Sequence, residues 1–145
     1  MNFFQTMQIS ASALSAQTMR MNTLSSNLAN ANTTRTPEGG PYLPKAVVFR
    51  SNPDFQRQMQ EAIFNSQEGI AGVKVDQILT QEDAVKDVYD PAHPDADDLG
   101  YVTMPDINVV TQMTDIMTAT RAYEANVNGM KAAQRMALKA LEIGG

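Results

Sequence analysis

The 145-residue chain has no cysteine and no tryptophan, and its single histidine is His93. Disulfides, thiolate nucleophiles and Cys-based metal centres are thereby excluded, and His93 lacks the second imidazole that a transition-metal site or a nucleophile–base pair needs. Basic charge is also scarce: eleven Lys and Arg face sixteen Asp and Glu, for a formal charge of -5 and a pI near 4.7. That is the wrong sign for neutralising phosphates, so neither a nucleic acid nor an anionic membrane surface is an expected partner. No stretch approaches the ~18 consecutive apolar residues of a membrane-spanning helix. Small residues around Ala11-Ser12-Ala13 imitate a signal-peptide cleavage site, but no basic residue precedes the first apolar stretch, and Gln5, Thr6, Gln8 and Ser10 interrupt it. A cleaved signal peptide is not expected.

Two scarcities are local. All seven prolines lie between Pro37 and Pro105, and residues 1–34 contain one charged side chain, Arg20. Residues 36–105 hold twelve acidic and five basic residues, a net -7. Three segments follow: an uncharged N-terminal arm, an acidic centre punctuated by proline, and a proline-free C-terminal arm.

In the N-terminal arm Met7, Leu14, Met21 and Leu28 recur every seven residues, with Phe4, Ala11, Thr18 and Ser25 as the companion column. This heptad predicts a helix over about residues 5–30, ending where Asn30, Asn32, Thr33 and Thr34 compete for backbone hydrogen bonds. The C-terminal arm alternates steps of four and three through Val109, Met113, Ile116, Thr120, Tyr123, Val127, Met130, Gln134, Ala137 and Leu141. A helix over 107–143 is expected, capped by Asp106 or Asn108 and stopped by Gly144-Gly145. Between the arms, residues 46–49, 73–75, 77–79, 84–89 and 101–102 read as short strands. Asn52-Pro53-Asp54, followed by Phe55, Met59, Ala62 and Ile63, reads as a capped helix near 53–65.

The fold class is therefore mainly α with a small β-rich insertion (α+β), the N- and C-terminal helices packing in coiled-coil fashion. A terminal helical assembly domain is expected from 1–34 and 106–145, and a central β-rich module from 35–105. A helix with one wet face normally places charge there, and the N-terminal arm does not. Its Ser, Thr, Asn and Gln side chains can be buried against other protein if hydrogen-bonded, so packing between subunits explains this arm better than a disordered Ser/Asn-rich terminus, which has no reason to carry a Met/Leu heptad. The expected assembly interface is Met7, Leu14, Met21, Asn27, Leu28, Asn30, Val109, Met113, Ile116, Tyr123, Val127, Met130 and Leu141.

Catalytic apparatus is not visible. Asp95 to Asp106 aligns partly with a calcium loop, with Asp97 third and Gly100 sixth, but Leu99 stands fifth, Asp106 replaces the bidentate Glu, and Pro91, Pro94 and Pro105 deny the flanking helices. A solvated acidic turn is the better reading. No G-x-S-x-G or phosphate-cradling glycine motif occurs. No catalytic residue, metal ligand or cofactor is expected.

Ala11-Ser12-Ala13-Leu14-Ser15-Ala16-Gln17 with Arg20-Met21-Asn22 and Ser26-Asn27-Leu28-Ala29-Asn30-Ala31-Asn32-Thr33-Thr34 resembles the N-terminal signature of the bacterial flagellar rod and hook proteins. Pro105-Asp106-Ile107-Asn108-Val109-Val110, Met113, Arg121 and Tyr123-Glu124-Ala125-Asn126-Val127 resemble the matching C-terminal one. Gly39-Gly40-Pro41-Tyr42, Gly72-Val73-Lys74-Val75, Val88-Tyr89-Asp90-Pro91, His93-Pro94-Asp95-Ala96-Asp97 and Gly100-Tyr101-Val102 are similar to the short proximal-rod branch, whereas residues 52–68 match none of its motifs. The resemblance implies a non-enzymatic structural subunit of the basal-body rod, exported by the flagellar type III apparatus without a cleaved signal peptide and assembled in the periplasm. Its implied partners are further copies of itself, other rod proteins, and export-gate and rod-base components, in a large helical hetero-assembly with no nucleic acid and no small-molecule substrate. A secreted coiled-coil effector or translocator of a type III secretion system is the alternative.

Overall fold

The computed structural model describes residues 3–51 and 72–144, so the helix expected near 53–65 lies outside the described residues. The elements in chain order are α1 (Phe3–Ala29), β1 (Lys45–Ser51), β2 (Val73–Thr80), β3 (Val85–Tyr89), β4 (Tyr101–Pro105) and α2 (Val109–Gly144). Two long terminal helices thus enclose, in sequence, two small two-stranded sheets, β1–β2 and β3–β4. The α+β architecture with terminal helices is the one observed.

Local chemistry accounts for the boundaries. The α1 helix ends where Asn30 turns its Nδ2 back onto the Ser26 carbonyl at 2.9 Å and takes the Thr33 hydroxyl on its Oδ1 at 3.2 Å. Asn108, not Asp106, caps α2: its Oδ1 accepts the Thr111 N–H at 3.1 Å, satisfying one of the orphan donors of the first turn. Asp106 instead lies 3.5 Å from the Lys86 ammonium. The two stretches expected at 73–75 and 77–79 form one continuous strand, β2. Asp76, which separated them on paper, is accommodated because the Arg50 guanidinium of β1 meets it at 3.0 Å.

The chain divides into two compact units. The first comprises residues up to 19, 48–77 and 119 onward. Among the described residues its buried side chains are small: Ser10, Ala16, Ala119 and Ala133. Within it α1 is tied to the start of β2 by Ser12, whose Oγ donates to its own helix at Ile9 O (2.8 Å) and accepts the Val73 N–H at 3.2 Å. The fit is close, since a Cβ on the neighbouring Gly72 would stand 3.0 Å from that Oγ.

The second unit comprises residues 20–47 and 78–118. Its apolar centre is Val102, 1% exposed, with Pro105 and Ile107. β3 and β4 pair antiparallel, Val88 opposite Val102 and Tyr89 opposite Tyr101. Alternation along the pair turns Val102 inward and places Tyr89 and Tyr101 together on the other face, rings edge-on with centroids 5.3 Å apart. The connecting turn holds itself together: the Asp97 carboxylate accepts the N–H groups of Leu99 (2.9 Å) and Tyr101 (2.7 Å), and His93 Nδ1 accepts that of Asp95 (3.1 Å). Asp97, third in the partial calcium-loop match, therefore serves as a turn acceptor, an Asx-type arrangement.

Gly100 closes this turn at φ +83°, and a Cβ there would lie 3.0 Å from Tyr89 Cε2 and 3.2 Å from Pro91 Cβ. Gly100→Ala is expected to destabilise the hairpin unit by about 1–3 kcal/mol, read as a lowered denaturant midpoint of the purified subunit. An unchanged midpoint would show that the turn relaxes without strain.

Candidate assembly interface

The helices bury a different column from the one their large residues mark. Along α2 the more enclosed positions include Gln112, Ile116, Ala119, Tyr123, Asn126, Met130, Ala133 and Ala137. Ile116, Tyr123, Met130 and Ala137 belong to the expected heptad; in its companion column Gln112, Ala119 and Ala133 are enclosed in place of Met113, Thr120 and Gln134, while Asn126 and Val127 are both half-buried. The most deeply buried members of this column, Ala119 and Ala133, are small. Among the described side chains of α1 the buried ones are Ser10, Ala16, Thr23 and Asn27, while Met7, Leu14, Met21 and Leu28 are half-buried on the flank and Ala11, Thr18 and Ser25 are exposed.

Asn27 is the most connected of the expected residues. It is 3% exposed, and its amide is fully used: Oδ1 accepts the Lys45 N–H (2.9 Å) and the Tyr42 hydroxyl (3.0 Å), while Nδ2 donates to Lys45 O (2.8 Å) and Gln112 Oε1 (3.3 Å). By bonding both backbone groups of Lys45 it behaves toward β1 as a strand residue would, and through Gln112 it joins α1 to α2. A second tie between the helices is Arg20, the only charge of the N-terminal arm, 3.7 Å from Asp115. The pairs 20–115 and 27–112 run in opposite senses along the chain, as in an antiparallel pair. Tyr42, Gln112 and Ser12, absent from the expected set, prove to be the polar partners on which this joint and the α1–β2 tie depend.

The remaining expected residues divide by exposure. Asn30 is half-buried and engaged in capping α1, and Ile116, Tyr123, Val127 and Met130 are half-buried. Val109, Met113 and Leu141 stand exposed, as do Val110, Met117, Met136, Leu138 and Ile143 of the same helix. The exposed residues of α1 include Gln8, Ala11, Ser15, Thr18, Met19, Asn22, Ser25, Ser26 and Ala29, all without charge. Apolar and uncharged polar groups at such density are the composition of a surface that other protein covers. Among the described residues no group of three or more His, Asp or Glu could hold a metal ion, and no helix is long and apolar enough to cross a membrane.

Comparison with known proteins places these features. Residues 7–35 match the family model described as flagella basal body rod protein, and residues 99–143 match that of the flagellar basal body rod FlgEFG protein C-terminal region. The flagellar basal-body rod protein FlgC of Bacillus subtilis (strain 168) is 42% identical, with 99% of each chain covered. FlgC of Borreliella burgdorferi is 37% identical over 98% of this chain and 99% of the relative, and that of Escherichia coli O6:H1 is 41% identical over 94% and 93%. The matched segments cover most of α1 and α2, and the similarity extends across the centre as well. The chain belongs to the FlgC family of flagellar basal-body rod proteins.

Proposed function

We propose that the chain polymerises through the outer faces of α1 and α2 into the proximal segment of the rod, acting by shape and contact rather than by catalysis. That it is a structural subunit of the basal-body rod follows from its family. The mode of assembly is supported above all by the composition of α1: 27 residues of helix with one charge, already paired to Asp115, and an exposed face of small uncharged groups. Such a face carries no charge to desolvate when a neighbouring helix covers it. The interface combines the flank residues Met7, Leu14, Met21 and Leu28 with Val109, Met113, Tyr123, Val127, Met130 and Leu141, and the division into helical assembly arms (1–34, 106–145) and an acidic central module (35–105) follows the same logic.

Export through the flagellar type III apparatus without cleavage belongs to this reading. An arm free of cysteine and nearly free of charge is readily threaded unfolded and buried on arrival. Contacts with the export gate and rod base belong to it as well. In-frame deletion of the gene, followed by electron microscopy of basal bodies, is expected to give non-motile cells lacking rods, restored by the gene in trans. Intact flagella in the deletion strain would overturn the proposal and favour a secreted coiled-coil effector.

A further inference from the structure

The hairpin β3–β4 presents an outer sheet face that nothing in its own unit covers. Tyr89 is 64% exposed and Tyr101 46%, with Leu99 at 76% on the adjoining turn. Around them stand Asp87, Asp90, Asp95, Asp97 and Asp98, all exposed. Thr103, Ala92, Thr34 and the Leu99 and Tyr101 N–H groups donate to four of these carboxylates, but among the described residues none of the five has a basic partner. Lys86, the one base within the hairpin, faces Asp106. Aromatic rings rimmed by uncompensated carboxylates form a receptor for Lys or Arg carried on an apolar scaffold, because each cation gains both a ring face and a counter-charge.

The chain itself carries such a scaffold. Lys131, Arg135 and Lys139 recur every four residues and form one ridge of α2, pointing away from the enclosed column through Met130, Ala133 and Ala137. Leu138, 55% exposed, sits on the same ridge, and Leu141 flanks it. Among the described residues Lys131 and Arg135 have no acidic partner, and Lys139 has only Glu142, at 2.7 Å.

We propose that the Tyr89–Tyr101 face of one copy receives the Lys131–Arg135–Lys139 ridge of a second copy. The inference rests on the reading of the chain as a polymerising rod subunit and names one contact within that polymer. Donor and receptor are different patches, so the contact is heterologous and need not close on a two-fold: every added copy presents a fresh hairpin, as an open helical assembly requires. The charge balance agrees, since residues 85–101 carry five acids and one base and residues 131–143 three bases and one acid.

The absence of cysteine permits a direct test. Cells are made to express two distinguishable tagged copies, one with Leu99→Cys and the other with Leu138→Cys, both exposed positions, and purified basal bodies are treated with a short flexible bismaleimide. A dimer carrying both tags is expected, at a yield about tenfold above that of a Leu99→Cys and Met117→Cys pair. Lys131→Glu with Arg135→Glu in the second copy should abolish that excess, and Asp90→Lys with Asp98→Lys in the first should restore it. Basal bodies that contain both copies without the mixed dimer overturn the inference, as does cross-linking of Leu99→Cys to a different rod protein, or reversal without rescue. Absence of the chain from basal bodies would overturn the parent reading instead. Asp98→Cys provides a second anchor should Leu99→Cys fail to assemble.

Discussion

Leu14→Asp is expected to leave cells without rods while the soluble subunit keeps its fold. Leu14 lies mid-way along α1 and is half-buried in the single chain, so a neighbour has the other half to cover. Losing that burial forfeits about 1–2 kcal/mol per contact, and the new carboxylate enters a helix whose one cation, Arg20, is already engaged with Asp115. Desolvating an unpaired carboxylate adds several kcal/mol more, and the defect recurs in every copy. The measurement is rod formation and swimming at matched export, alongside denaturant unfolding of the monomer. His93→Ala and Asp97→Asn serve as comparisons, both expected to swim, because His93 accepts one exposed turn N–H and an amide oxygen can replace the Asp97 carboxylate as acceptor. Motile Leu14→Asp cells would place the functional surface elsewhere.

Asn27→Leu should act on the subunit itself. The isosteric hydrocarbon fills the space but leaves the Lys45 N–H and C=O and Gln112 Oε1 without this partner, and the Tyr42 hydroxyl with Ser26 Oγ alone. Several part-buried groups losing a partner together cost on the order of 2–3 kcal/mol, a sizeable part of the stability of a small domain. The expected result is a broad or lost unfolding transition and rapid proteolysis between α1 and β1. Gln112→Ala, which removes only the longest of the four bonds, should lower stability by about 1 kcal/mol or less. Equal effects of the two substitutions would mean that the joint is held by packing rather than by the amide.

Periodicity revealed the helices because 27 and 36 residues give many repeats of the pattern, and the hairpin announced itself through Val85, Val88, Tyr89, Gly100, Tyr101 and Val102. What remained hidden was set by partners distant in sequence. Asp76 reads as a strand breaker until Arg50 meets it, and Asn27 reads as one polar residue among many until Lys45, eighteen positions on, closes around it. One of the two columns expected on α2 lay mostly a residue away from the enclosed positions for a related reason. Counting large apolar side chains locates where a helix is greasy, whereas the most enclosed positions lie where it is thin, at Ala16, Ala119 and Ala133.

Thinness has a mechanical consequence. Interdigitated Leu side chains resist sliding, since each must climb out of its socket, but a track of methyl and hydroxyl groups opposes separation while offering little obstacle to shear along its axis. Axial load therefore passes to the directional bonds that bridge elements, among them Ser12 to Val73 in one unit and Asn27 to Lys45 in the other. Bonds of that kind stiffen against small displacements and weaken steeply once donor and acceptor fall out of line. A subunit held in this way is stiff against small displacements of its elements, and its resistance to larger ones rests on a handful of polar contacts.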